Sequence, residues 1–252
     1  MNGIHPLLLS AYTPETAADR LLSQTKRGSF AVTLNVELLA RAATSPDFAA
    51  ILRTADAMVC DGIGGRLLLS VGHPRAAIPR IPGIDLGYAV LARATGEGRS
   101  VFLLGGKEGI AEKAALCLKE KLPALQIAGT YHGYFGKSDL PALRGLIIAS
   151  GAEIVIVCLG SPRQEEWIAQ NRRYLPDVCL YLPLGGSLDV WAGAILRAPL
   201  PLRKAGLEWA WRVARQPRRL IRLGRAAWAL WGMDPQKWDF HFLKSTILFP
   251  IQ

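Results

Sequence analysis

The sequence predicts an α/β fold: a mainly parallel, Rossmann-like sheet with helices on both faces, followed by a basic helical appendage. Three observations lead there. Short apolar runs alternate with helical patterns at the spacing of strand–helix–strand units. Polar and glycine-rich clusters fall just after those runs, at the strand ends where parallel sheets bind ligands. Near Arg197 the alternation stops and the charge changes: residues 1–196 carry 19 Lys/Arg against 17 Asp/Glu, whereas residues 197–252 carry 11 against 3. A chain of 252 residues, 50% of them hydrophobic, can bury a full core, so the boundaries read as an α/β domain over 1–196 and an appendage over 197–252.

The elements follow in order. Phe30–Leu34 is an apolar strand ending in Thr33 and Asn35, and Val36–Ala43 is helix-like. Ala57–Cys60 is a second strand and stops at Asp61-Gly62; Ile84–Ala94 has helical periodicity. Ser100–Leu104 is followed by Gly105-Gly106 and by a helix over Ile110–Leu122. Leu125–Ala128 is the next strand and Leu140–Ala149 the next helix. Glu153–Leu159 breaks at Gly160-Ser161-Pro162 and gives way to a helix over Glu165–Tyr174, for which Ser161 is the candidate N-cap and Pro162 the first helical position. That turn aims free N–H groups and the positive end of a helix at the crevice above the sheet, with Arg163 and Gln164 at its edge, where a phosphorylated ligand would lie. Val178–Leu182 closes the series.

Beyond Pro199 and Pro201 two short helices are expected, over Lys204–Arg215 and from Pro217 to about Trp231. In the second, Leu220, Leu223, Ala227 and Trp231 recur at helical spacing, and Arg218, Arg222 and Arg225 mark another face. Five of the seven tryptophans lie in this region. Arg and Trp on amphipathic helices suit an anionic membrane surface; a helical hairpin packed on the body with a solvated basic face is the plainer reading. Nucleic acid is not expected, because no binding motif accompanies the basic residues.

Several classes are excluded. No stretch of about twenty apolar residues is free of charge or turn signals, so no transmembrane helix is expected. Met1 to Arg20 has no basic leader and Leu7-Leu8-Leu9 is too short for a signal core, so no secretory signal is expected. Cys60, Cys117, Cys158 and Cys179 lie in apolar runs without a CxxC pair and read as buried thiols of a reducing cytoplasm. The four histidines are scattered, no HExxH or Asp-x-Asp occurs, and neither a protein-built metal site nor a cofactor is expected.

Three clusters could do chemistry. Asp61, at a strand end beside Gly62, Gly64 and Gly65, can serve as a general base or merely cap the next helix. Gly105-Gly106-Lys107 could cradle phosphate or mark a close helix–strand contact; it is not G-x-G-x-x-G, and no acidic residue follows at the dinucleotide-binding distance. Gly185-Gly186 with Asp189 could meet a ribose or base, or Asp189 could be another cap.

The ordered motifs Thr33-Leu34-Asn35, Cys60-Asp61-Gly62, Arg80 to Asp85, Leu104 to Lys107, Gly133-Tyr134-Phe135, Gly160 to Glu165, Gly185-Gly186 with Asp189, Arg197-Ala198-Pro199 and Leu207-Glu208-Trp209 resemble the WecG/TagA/CpsF family of bacterial glycosyltransferases, over roughly residues 28–225. The resemblance implies an inverting, metal-independent enzyme that is peripheral on the cytoplasmic face of the membrane. Such an enzyme moves a sugar from a UDP-sugar donor to a polyprenyl-diphosphate-linked saccharide acceptor. It places Asp61 as general base, Thr33, Asn35 and Gln164 around the reacting sugars, and Tyr134 and Asp189 near UDP. With no Asp-x-Asp, the leaving diphosphate must be met by helix N-termini and by arginines, for which Arg80, Arg163 and Arg197 are the candidates. The appendage, with Arg212, Arg215, Arg218, Arg219, Arg222 and Arg225, would complete the site and dock on an anionic membrane; assembly into a homo-oligomer would compete for the same apolar surface. The rival classes are an NAD-dependent Rossmann oxidoreductase, disfavoured by the missing fingerprint, and a non-catalytic membrane-binding module.

Overall fold

A computed structural model describes residues 7–8, 13–72 and 78–231. The chain opens with β1 (Leu7–Leu8) and α1 (Pro14–Gln24), the latter capped by Thr13, whose hydroxyl accepts from the N–H of Thr16. Next come β2 (Ser29–Leu34), α2 (Val36–Thr44) and α3 (Pro46–Arg53), the two helices capped by Asn35 and Ser45. β3 (Ala57–Cys60), α4 (Ile63–Gly72) and α5 (Gly83–Glu97) precede β4 (Ser100–Gly105), α6 (Ile110–Lys121), β5 (Gln126–Tyr131) and α7 (Leu140–Ser150). β6 (Ile154–Cys158), α8 (Arg163–Asn171) and β7 (Leu180–Pro183) complete the sheet, and α9 (Ser187–Trp191) follows it. The appendage holds α10 (Leu200–Lys204), α11 (Glu208–Arg215) and α12 (Arg218–Trp231).

All strand pairings are parallel, in the order β1-β3-β2-β7-β6-β4-β5. Side chains alternate between two cores: Phe30, Val32, Leu34, Val155 and Val157 face one, and Ala31, Ile154 and Ile156 the other. Both faces are therefore dry, which is why the strands read as continuous apolar runs rather than as alternating ones. Connections stepping toward β5 carry α1, α5 and α6 on one face; those stepping away carry α2, α3, α7 and α8 on the other. Right-handed crossovers require this sorting. Its consequence is a switch point where β4 leaves toward β5 and its neighbour β6 leaves toward β7, opening a crevice at their carboxyl ends.

The structure corrects three local expectations. Ser161 is not the cap of α8: the Ser161–Pro162 peptide is cis, and Pro162 itself flanks the first helical residue, Arg163. The helix expected over Lys204–Arg215 is two helices, because Gly206 adopts φ +75° between α10 and α11. Cys60 and Cys158 are buried, with burial pushing both thiols up to about 12, but Cys117 and Cys179 are only half-buried. The tail beyond residue 231 lies outside the described residues. The appendage returns to the body where Ala226 of α12 packs on Ala40 of α2.

Candidate active site

Asp61 lies at the floor of a cleft of about 500 Å³ between the carboxyl ends of the strands and the appendage. Three helix N-termini line its body side: Asn35 to Glu37 for α2, Gly62 to Gly65 for α4, and Pro82 to Ile84 for α5. Their partial positive charges add to those of Arg80 and Arg212 and face the carboxylates of Glu37, Asp61 and Glu208 on the same lining. From the appendage, Glu208, Trp209, Arg212, Val213, Leu223 and Ala227 line the opposite side.

The Asp61 N–H donates to Leu34 O at 2.6 Å, which fixes the residue where β3 ends beside β2. Its carboxylate accepts the backbone N–H of Gly83, the first residue of α5, rather than capping the helix that follows it in sequence. Burial raises its pKa from 3.8 to about 6; Arg212, the Gly83 N–H and Arg80 oppose the rise, and Glu208 adds to it. A carboxylate so placed is ionised near neutrality and basic enough to take a proton.

The neighbouring residues are held firmly. Asn35 Oδ1 accepts from the N–H groups of Glu37 and Leu38 at 3.0 and 3.1 Å, leaving its amide nitrogen for the cleft. Thr33 is buried beneath, and its hydroxyl donates to Pro183 O at 3.3 Å. Arg80 donates to Arg203 O at 2.9 Å and so ties the end of α10 to the cleft wall.

Arg197 is engaged elsewhere than in the cleft. It grips Asp85 of α5 through two bonds of 2.5 and 2.7 Å, and its Nε lies 3.6 Å from Glu208, which in turn accepts from Arg212 at 2.8 Å. Burial works against the Arg197 charge, yet Asp85 and Glu208 outweigh it and raise its pKa. Arg212, expected on the docking face, instead lines the cleft from the appendage side, and its charge favours the ionised form of Asp61. Arg215 and Arg225 are exposed; the side chains of Arg218, Arg219 and Arg222 lie outside the described part of the structure.

The second polar group surrounds the β4–β6 crevice. Gly105 has φ +136°, and a Cβ there would meet Cys158 O at 2.3 Å; one at Gly106 would meet Ile110 at 2.6 Å. Close packing accounts for both glycines. Arg163 donates to Gly133 O at 2.7 Å and Phe135 O at 3.0 Å and lies 4.8 Å over the Phe135 ring. It is a clamp for the loop that displays Tyr134, which is 70% exposed. Gln164 is buried: its amide donates to Glu165 at 2.8 Å and its oxygen accepts the Gly185 N–H at 2.9 Å, joining the α8 turn to the Gly185-Gly186 loop. Burial raises the pKa of Glu165. Asp189 sits in the first turn of α9, past the capping position.

Thr33, Asn35, Asp61 and Arg80 therefore gather at one end of the carboxyl edge and Gly105, Gly106, Tyr134 and Arg163 at the other, with Gln164 and Asp189 between them where the chain leaves β6 and β7. From β3 to β4 the edge spans four strand spacings, about 19 Å. Asp85 and Glu208 lie within the motifs Arg80 to Asp85 and Leu207-Glu208-Trp209 but carried no assigned role; the i,i+4 spacing of Glu208 and Arg212 was a further local signal. Among the described residues no three His, Cys, Asp or Glu side chains come together to hold a metal, and no helix is long and apolar enough to cross a membrane. A smaller cavity of about 220 Å³ lies beside α1 at the amino ends of β2 and β3, away from these groups. A sequence profile described as "Glycosyl transferase WecG/TagA/CpsF family" matches residues 4–232.

Proposed function

Since the chain belongs to the WecG/TagA/CpsF family and is thus a glycosyltransferase of polysaccharide biosynthesis, we propose that its cleft transfers a sugar from a UDP-sugar to a polyprenyl-diphosphate-linked saccharide with inversion at the anomeric carbon. The observation that carries this reading is Asp61 itself: a carboxylate with a pKa near 6, facing a cleft ringed by helix N-termini and two arginines. In the displacement, the acceptor hydroxyl oxygen bonds to the anomeric carbon while Asp61 takes its proton. The bond from that carbon to the diphosphate oxygen breaks, and its electron pair leaves with UDP.

The charge that develops on the diphosphate is met by Arg80, Arg212 and the N-termini of α2, α4 and α5, without a protein-held metal. Asn35, through its free amide nitrogen, orients the sugars, and Thr33 and Gln164 hold the strand ends beneath them. Tyr134 and Asp189, with the Gly105-Gly106 loop, border the nucleotide end. UDP-glucose and UDP-N-acetylmannosamine or its uronic acid are the donor candidates.

A lipid-linked acceptor explains the appendage. Leu207, Trp209, Leu220, Ile221 and Trp228 are exposed on it, Trp228 by 83%, and Arg215 and Arg225 accompany them. Apolar and aromatic groups flanked by arginines bind peripherally to an anionic leaflet; the reading places the enzyme on the inner face of the cytoplasmic membrane. The test is UDP release from a panel of UDP-sugars with a short polyprenyl-diphosphate-sugar acceptor and EDTA present. Acceptor-dependent release from one donor is expected; no release from any donor, with the protein folded, would overturn the reading.

A further inference from the structure

Arg212 comes from the appendage, yet it lines the cleft that holds Asp61 and its charge bears on that acid, so something must hold it there. Its partner is Glu208, one helical turn earlier on α11. Glu208 is 9% exposed and stands between two guanidinium groups, Arg212 at 2.8 Å and Arg197 at 3.6 Å. Arg197 is itself fixed by the double bond to Asp85 on α5, the helix whose first N–H holds Asp61. Ion pairs of alternating sign therefore link Asp85, Arg197, Glu208 and Arg212, and the last of these lines the cleft that holds Asp61.

We propose that Glu208 is a positioning residue for the transfer reaction, holding Arg212 in the cleft that contains Asp61, with Arg197 and Asp85 fixing Glu208 in turn. This rests on the function proposed above. A buried carboxylate between two arginines is retained because removing it leaves two like charges facing each other in a poorly solvated place. The planar guanidinium gives Arg212 donors on two edges, so one edge can be pinned by Glu208 while the other serves the cleft. With Glu208 gone, Arg212 would be free to swing toward solvent and α11 would lose its charged tie to Arg197, while the Arg80–Arg203 O bond on α10 and the Trp211 indole bond to Leu196 O remain nearby.

The experiment is a double-mutant cycle on the full chain with Glu208→Ala, Arg212→Ala and both together, read as kcat/KM for acceptor-dependent UDP release, with thermal unfolding measured on each protein. If Glu208 works through Arg212, E208A costs at least about tenfold in the wild-type background but less than about threefold in the R212A background. A loss of equal size in both backgrounds, or an R212A enzyme with the wild-type rate, would overturn the proposal. Should E208A fail to fold, Glu208→Gln replaces it in the cycle; should R212A fall below detection, Arg212→Lys does. A wild-type enzyme inactive with every donor sinks the function first and this proposal with it, whereas an active wild type with independent losses sinks this proposal alone.

Discussion

Replacing Asp61 by Asn tests whether the acid at the cleft floor was placed there for chemistry rather than for stability. The Asp61 pKa is raised from 3.8 to about 6. Because the folded value lies above the ordinary one, the contribution of this group is full below pH 3.8 and is lost as pH rises through 6. The ionised carboxylate therefore costs the native state about 3 kcal/mol at pH 8, since each pKa unit is worth about 1.4 kcal/mol. Asn keeps an oxygen for the Gly83 N–H and carries no charge. D61N is expected to unfold roughly 6–12 °C higher than wild type at pH 8. The advantage falls to about half at pH 5, where the unfolded chain is ionised and the folded one is largely not. The same protein should lose nearly all acceptor-dependent UDP release, and the wild-type rate should fall on the acid side with a midpoint near the Asp61 pKa of about 6. Calorimetry at the two pH values and the release assay read both outcomes. A D61N protein less stable than wild type at pH 8, or one that retains its rate, would refute the reasoning.

Gly105→Ala should lower stability by about 2 kcal/mol or more, seen as a drop in denaturation midpoint, because its Cβ would fall 2.3 Å from Cys158 O at a φ of +136°. Arg163→Ala should raise the donor KM by roughly tenfold with a smaller effect on kcat, since the loop bearing Tyr134 loses a clamp that donates to Gly133 O and Phe135 O. Arg215→Glu combined with Arg225→Glu should weaken partition onto anionic vesicles by more than about tenfold and leave the melting temperature within a few degrees, because each arginine near such a surface contributes about 1 kcal/mol; unchanged partition in a sedimentation assay would remove this face from the membrane.

The sheet was legible because its strands are buried on both faces, and a dry strand between turn residues leaves a plain mark in sequence. All six longer strands lie where apolar runs placed them, with ends differing by a residue or a few. β1, two residues long and paired to β3, left no such mark. Asp61 stood out because a carboxylate closing an apolar strand is conspicuous. The arginines were harder. A guanidinium finds its partner through space, and nothing near Arg197 in sequence announces Asp85, 112 residues away, nor does anything near Arg163 announce the carbonyls of Gly133 and Phe135. Charge alone suggested that such residues meet phosphate; geometry shows that Arg163 and Arg197 are spent on loops and helices, while Arg212 lines the cleft.

The packing of α12 on α2 reaches further than it first suggests. α2 is the helix whose first turn Asn35 caps, and α11 carries the other side of the same cleft. The stretch from Glu208 to Trp231 is thus not a detachable tether but a second wall of the cleft, set off from α10 by the turn at Gly206. Shortening the gene before residue 207 would leave the seven-stranded sheet intact while stripping cover from Ala40, Val36 and Asp61 at once. A chain trimmed there would keep its sheet and its Asp61 but lose the wall that carries Arg212.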